Sequence, residues 1–172
     1  MLGSVLLIVA WVMQAPTTVL LGGQSNAVNL EPYLRFEGLS TVARSSTGIG
    51  AWHADGDMWP ATEAALKSGR VRTVIWWQGA ADRRATGYLG ELQDLVRRMR
   101  VAAGNPKLKI IVVRVLDKPE NRIVRKAQEA FVAGDPHAVL LSTDQLGLGK
   151  SDHLTETGYR DVARRIRAKL PQ

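Results

Sequence analysis

Ser25 and His153 stand far apart in this 172-residue chain, each inside a short polar segment of a kind that can do chemistry. Ser25 lies in "LLGGQSNAV", residues 21–29, where glycines, a glutamine and an asparagine directly follow an apolar run. A serine hydroxyl is a poor nucleophile until a neutral imidazole accepts its proton. "DQLGLGKSDHLTETGY" supplies an imidazole, His153, together with two carboxylates, Asp144 and Asp152. "WWQGAAD" adds the Gln78 amide, and the turn "STGIGAW" adds Gly48 and Gly50. Nucleophile, base, orienting acid and N–H donors for an oxyanion are the parts of a serine acyl hydrolase. Removing one such donor raises the barrier by roughly 3 kcal/mol, so the elements that aim them matter as much as the residues.

Five apolar runs read as those elements: "TTVLLG" (17–22), "LSTVARS" (39–45), "VRTVIWWQG" (71–79), "KLKIIVVRVL" (107–116) and "HAVLLST" (137–143). Runs apolar throughout suit parallel strands covered on both faces. Helical patterns lie between or after them at 58–69, 87–104, 118–134 and 154–170. Leu89, Leu92, Leu95, Val96 and Met99 form one inward stripe. Tyr159, Val162, Ala163, Ile166 and Leu170 form another, behind a Thr155 N-cap. Strands alternating with helices predict right-handed βαβ units and a three-layer α/β/α sandwich. Chemistry in such sheets collects at the carboxyl ends of the strands, where all the polar segments above fall. Ser25 is expected on a strand-to-helix turn, with backbone N–H groups and the helix dipole aimed at a developing oxyanion.

Composition narrows the alternatives. There is no cysteine, which excludes disulfides, thiolate metal sites and a cysteine nucleophile. The formal charge is +7, but the basic cluster Arg160, Arg164, Arg165, Arg167 and Lys169 reads as a solvated helix face, with no nucleic-acid motif beside it. Asp55 and Asp57 sit in a glycine-containing loop without ligand spacing, so neither a metal nor another cofactor is expected. Trp52 is the tryptophan placed to line the site, His53 is read as surface, and at least one of Trp76 and Trp77 as core. "VLLIVAWVM" (5–13) has the length of a signal-peptide apolar core and is short for a bilayer span. No Lys or Arg precedes it and its cleavage pattern is poor, so export and a retained segment both stay open. Nothing in the sequence sets the oligomeric state.

"GGQSNA", "WWQGAAD" and "KSDHLTETGY" together resemble the blocks of the SGNH/GDSL hydrolase superfamily, in particular its branch of sialate O-acetylesterase and acetylxylan-esterase-like carbohydrate esterases. The resemblance runs in order from about Thr17 to Leu170. It implies a flavodoxin-like fold with a mostly parallel five-stranded sheet, as one domain over 16–172 behind an apolar segment at 1–15. It further implies Ser25 as nucleophile, His153 as general base and an oxyanion hole from Ser25, Gly48, Gly50 and Gln78, with Gln24, Asn26 and Trp52 lining the substrate. The expected reaction removes acetyl or another short acyl group from a hydroxyl, on a carbohydrate, without a cofactor. The alternatives are a broad lipase- or thioesterase-like acylhydrolase and a catalytically silent glycan-binding domain on the same fold. Two positions depart from the branch: Ala80 stands where it has Glu, and Lys150 where its acid lies. Asp152 is adjacent to His153, and neighbours on an extended segment point apart. The orienter is therefore Asp152, Asp144 or no carboxylate.

Overall fold

The computed structural model describes residues 18–149 and 153–170; the apolar segment at 1–15 and Asp152 lie outside the described residues. Five strands form one sheet: β1 (Thr18–Gly23), β2 (Leu39–Ala43), β3 (Val71–Trp77), β4 (Lys109–Val113) and β5 (Ala138–Leu141). Their order is β2-β1-β3-β4-β5 and every pairing is parallel. The helices are α1 (Ser25–Leu34), α2 (Trp59–Lys67), α3 (Tyr88–Ala102), α4 (Arg122–Gly134) and α5 (Glu156–Arg167). The strands are shorter than the apolar runs that announce them. β4 ends at Val113 because the Val115 N–H turns away to the Gln128 side chain, which accepts it at 3.0 Å. Among the described residues no helix is long and apolar enough to cross a membrane.

Alternating side chains of the sheet feed two cores. Leu20, Val74, Trp76, Ile110 and Val112 pack with Leu66, Leu92, Met99 and Phe131 of α2, α3 and α4. Val19, Leu21, Ile75, Trp77, Ile111 and Val113 face Leu30 and Leu34 of α1 and Val162 and Ile166 of α5. Trp76 and Trp77 are both 1% exposed, one in each core, because helices cover both faces. Each large apolar side chain buried this way contributes roughly 1.5–3 kcal/mol before the entropy of ordering it.

Register then aligns the loops. Gly23 pairs with both Ala43 and Trp77, and Val113 with Leu141, so the strands end level. The strand order reverses between β1 and β3, and such a switch point opens a crevice beyond the carboxyl ends. Ser25 follows β1 and Gln78 follows β3.

Candidate active site

Ser25 is the first residue of α1, with extended Gln24 before it at φ −104° and ψ −156°. The Gln24 carbonyl accepts the Ala27 and Val28 amides at 2.8 and 3.1 Å, which starts the helix. The Ser25 amide therefore precedes the first intrahelical donor and points out of the helix N-terminus. The strand end below is drawn tight against β3. A Cβ on Gly23, whose φ is +139°, would lie 2.1 Å from the Trp77 oxygen, so only glycine fits. The Gln24 amide donates to that same oxygen at 3.0 Å.

Behind Ser25 lies a buried polar network. Gln24 Oε1 accepts the Gly79 and Ala81 amides, each at 3.2 Å, and tethers the loop after β3 to the loop after β1. Gln78 is wholly buried; its Nε2 donates to the Thr47 carbonyl at 3.1 Å and to the Asp82 carboxylate. The Asp82 carboxylate also accepts the Ile49 amide at 3.0 Å. On the far side the Tyr88 hydroxyl faces both Gln78 oxygens at 3.0 Å, and Gln128 Nε2 donates to the Gln78 carbonyl at 3.0 Å. Burial pushes the Tyr88 hydroxyl well above its ordinary pKa, which keeps it a neutral donor. The loop that carries Gly48 and Gly50 is closed at its base by Arg44, which grips both Asp57 oxygens at 2.6 and 2.9 Å. That ion pair holds the Asp57 carboxyl below its usual range. Among the described residues no cluster of His, Asp or Glu is arranged to hold a metal ion.

His153 reaches the same end of the sheet by another route. After β5, Leu148 pairs antiparallel with Leu154. Gly149 N–H donates to the His153 carbonyl at 2.9 Å and Thr155 N–H to the Gly147 carbonyl at 3.0 Å. Thr155 then caps α5, its hydroxyl accepting the Gly158 amide at 3.2 Å. One turn on, the Tyr159 hydroxyl donates to Asn26 Oδ1 at 2.6 Å, which locks the first turns of α5 and α1 together. Ser25 and His153 enter from these two joined helix starts, and both are partly exposed.

Three residues expected against substrate, Gln24, Asn26 and Trp52, have buried side chains. Gln24 and Asn26 are 5% and 3% exposed, because their side chains turn inward to the Gly79–Ala81 amides and to Tyr159. Trp52 is 0% exposed and packs edge-on against Trp76 with ring centres 5.0 Å apart. It lies under the Gly48–Gly50 turn and offers no face for a sugar. The Gln78 amide hydrogens, expected at an oxyanion, point to Thr47 and Asp82. Of the amides from Gly48 to Gly50, the Ile49 N–H is held by Asp82.

Asp144, the second candidate orienter, is committed elsewhere. Its oxygens accept hydrogen bonds from Arg125, at 2.8 Å, and from Arg114. Burial pushes this carboxyl up, but the Arg125 and Ser142 hydrogen bonds and the Arg114 charge outweigh it and hold the pKa below the usual range. His53 sits beside Gly50 and pairs with Glu91 at 3.5 Å. Asp82, Tyr88, Gln128 and Tyr159, which the sequence reading did not assign to the site, hydrogen-bond to the candidate residues Gln78 and Asn26 or to the turn at Ile49. Asp82 stands in the quoted block "WWQGAAD", whereas the tyrosines carry only a core signal.

An all-parallel 2-1-3-4-5 sheet between two helical layers defines a flavodoxin-like α/β/α fold, here with a serine on a helix start at the switch point. Residues 25–172 match the family of carbohydrate esterases described as sialic acid-specific acetylesterases, and the chain belongs to that family. No curated protein matches the sequence. Among solved structures, a protein of Arabidopsis thaliana is similar with a TM-score of 0.70 at 22% identity, over 77% of this chain and 59% of that one. A carbohydrate acetylesterase from Xanthomonas citri has a TM-score of 0.63 at 22% identity, over 74% of this chain and 34% of that one. A family 3 carbohydrate esterase from Talaromyces cellulolyticus has a TM-score of 0.63 at 13% identity, over 89% and 95%. The chain thus spans about three fifths and one third of the first two proteins.

Proposed function

We propose that this chain hydrolyses acetyl or other short acyl esters of carbohydrate hydroxyls through an acyl-enzyme on Ser25. The observation that carries the reading is the position of Ser25, first residue of α1 at the switch point, with its loop tethered by Gln24 to the loop after β3. His153 takes the Ser25 proton as Oγ attacks the ester carbonyl carbon. The oxyanion is met by the Ser25 amide and by backbone N–H groups of the Gly48–Gly50 turn. Collapse expels the sugar alkoxide, which His153 protonates; water then attacks the acyl-enzyme with His153 again as base, releasing acetate and free Ser25. Asp152 is the proposed orienter of His153, because the alternative, Asp144, is held by two arginines.

A fluorophosphonate probe is expected to label the protein stoichiometrically and to leave Ser25→Ala unlabelled, with acetate release from acetylated xylan, acetylated sialic acid and aryl acetates lost in parallel. The second reading, a silent glycan-binding domain, is favoured by Ala80 in place of the branch's Glu and by the occupied Gln78 amide. Folded wild-type protein that binds acetylated glycans yet takes up no probe would establish that reading instead.

A further inference from the structure

We propose that Asp82 is a positioning residue for this hydrolysis: its carboxylate sets the turn that presents the oxyanion-binding amides. The inference rests on the esterase reading above and adds a role for a residue that does not itself touch substrate.

Asp82 joins the loop after β3 to the turn after β2, alongside the hydrogen bond from Gln78 to the Thr47 carbonyl. Its Oδ2 accepts the Ile49 amide at 3.0 Å and also a hydrogen of the Gln78 amide. Its Oδ1 rests against the Gly48 backbone, where an added Cβ would come within 3.0 Å. The aim of the carboxylate is preset, because the Asp82 amide donates to the Gly79 carbonyl at 2.9 Å and its carbonyl accepts the Ala85 amide at 2.7 Å. The turn it grips is rich in glycine, and its Gly48 and Gly50 carbonyls accept the Ala51 and His53 amides at 3.2 and 3.0 Å. Ile49 lies between two glycines at the start of a 3-10 turn, Ile49–Trp52, and Gly50 is exposed. Glycines on both sides leave that backbone free to rotate unless something fixes it. Peptide planarity makes the fix effective: holding the Ile49 N–H holds the plane shared with Gly48 and restricts the plane that follows to Gly50.

Charge explains why this residue is an aspartate. A carboxylate donates nothing and its charge strengthens each hydrogen bond it accepts, so Oδ2 takes the Ile49 and Gln78 amides together. An asparagine oxygen in that place accepts them only as a neutral group, and its NH₂ replaces Oδ1 against Gly48. The negative charge next to an oxyanion site would oppose the reaction if it faced the substrate. Two N–H groups from the protein occupy its inward oxygen instead, and the charge is used to aim them.

The test compares wild type, Asp82→Asn and Gly48→Ala, the last crowding the carboxylate from the other side. For aryl acetate hydrolysis, Asp82→Asn is expected to lower kcat by about ten- to a hundredfold with KM changed less than about threefold, part of the loss seen on deleting an oxyanion donor. Fluorophosphonate labelling of Ser25 should slow by a similar factor, and Gly48→Ala should give the same split. Exchange of the Ile49 amide, read by NMR, should quicken in Asp82→Asn while the β3 amides keep their protection. An Asp82→Asn protein with kcat within about twofold of wild type, or one whose loss only tracks its unfolded fraction, overturns the proposal; if that variant fails to fold, Gly48→Ala with unchanged kcat does so. A folded wild type that neither hydrolyses esters nor takes up the probe overturns the esterase reading and this role with it. An active wild type beside an unaffected variant overturns this role alone.

Discussion

Gln24 shows what a residue type in a motif does and does not reveal. A glutamine beside a nucleophile either faces the substrate or holds the loop, and both uses need the same amide. Burial decides between them: Gln24 is 5% exposed and its Oε1 accepts the Gly79 and Ala81 amides. The same holds for Asn26, whose neighbour Ser25 was legible by type while the inward turn of its own side chain was not. Trp52, expected to line the site, closes the 3-10 turn Ile49–Trp52 with its ring buried edge-on against Trp76. Replacing Gln24 with methionine keeps the shape and removes the acceptor, stranding the buried Gly79 amide and releasing the Ala81 amide. Gln24→Met is therefore expected to lose about 1–3 kcal/mol of stability, measured as a lower urea midpoint, and to slow Ser25 phosphonylation more than it changes substrate KM. Unchanged stability would mean that water replaces the glutamine at both amides.

The strands were legible because helices cover both of their faces and leave near-continuous apolar runs. Helix α1 was legible only as the turn after β1. Its inward face carries Asn26 as well as Ala27, Leu30 and Leu34, and Pro32 sits inside it, so hydrophobic periodicity is weak. Beside the buried Ala27, Leu30 and Leu34, polar contact with α5 helps hold α1. The Tyr159 hydroxyl donates to Asn26 and accepts from Asn29 Nδ2 at 3.2 Å, while its ring stacks on Tyr33 at 6.0 Å with planes 1° apart. Burial raises the Tyr159 pKa, so the hydroxyl stays protonated as the donor. Tyr159→Phe keeps the stack and removes only the tie between the helix starts that carry Ser25 and His153. It is expected to lower stability by about 1 kcal/mol and to reduce kcat severalfold with little effect on KM. Loss of stability at full activity would separate this helix contact from alignment of the site.

The formal charge of +7 hides a rim of paired ions that closes the fold at both ends of the sheet. At the carboxyl ends, Asp144 holds Arg114 and Arg125, and at the opposite end Asp135 holds Arg100 through two hydrogen bonds of 2.7 and 2.9 Å. Arg100 also reaches the Leu108 carbonyl at 3.3 Å and Asp135 the His137 amide at 2.9 Å, so this pair joins α3 to the starts of β4 and β5. Burial raises the Asp135 carboxyl, but the Arg100 hydrogen bonds and the His137 amide outweigh it and leave the pKa lowered. A carboxyl lowered on folding adds stability above its unfolded pKa of about 4 and loses it as pH falls through the folded value. Stability should thus be level from neutrality down to about pH 5 and then fall steeply, as Asp135 and Asp144 take up protons together. Asp135→Asn is expected to remove about 1.5–3 kcal/mol at neutral pH, because Arg100 is left partly buried with only neutral acceptors. The same variant should show a shallower loss as pH falls below about 4, since the proton that weakens the wild type no longer has a site to bind. Urea midpoints across that range for wild type, Asp135→Asn and Asp144→Asn measure it, and parallel curves for all three would assign the acid sensitivity to other carboxylates.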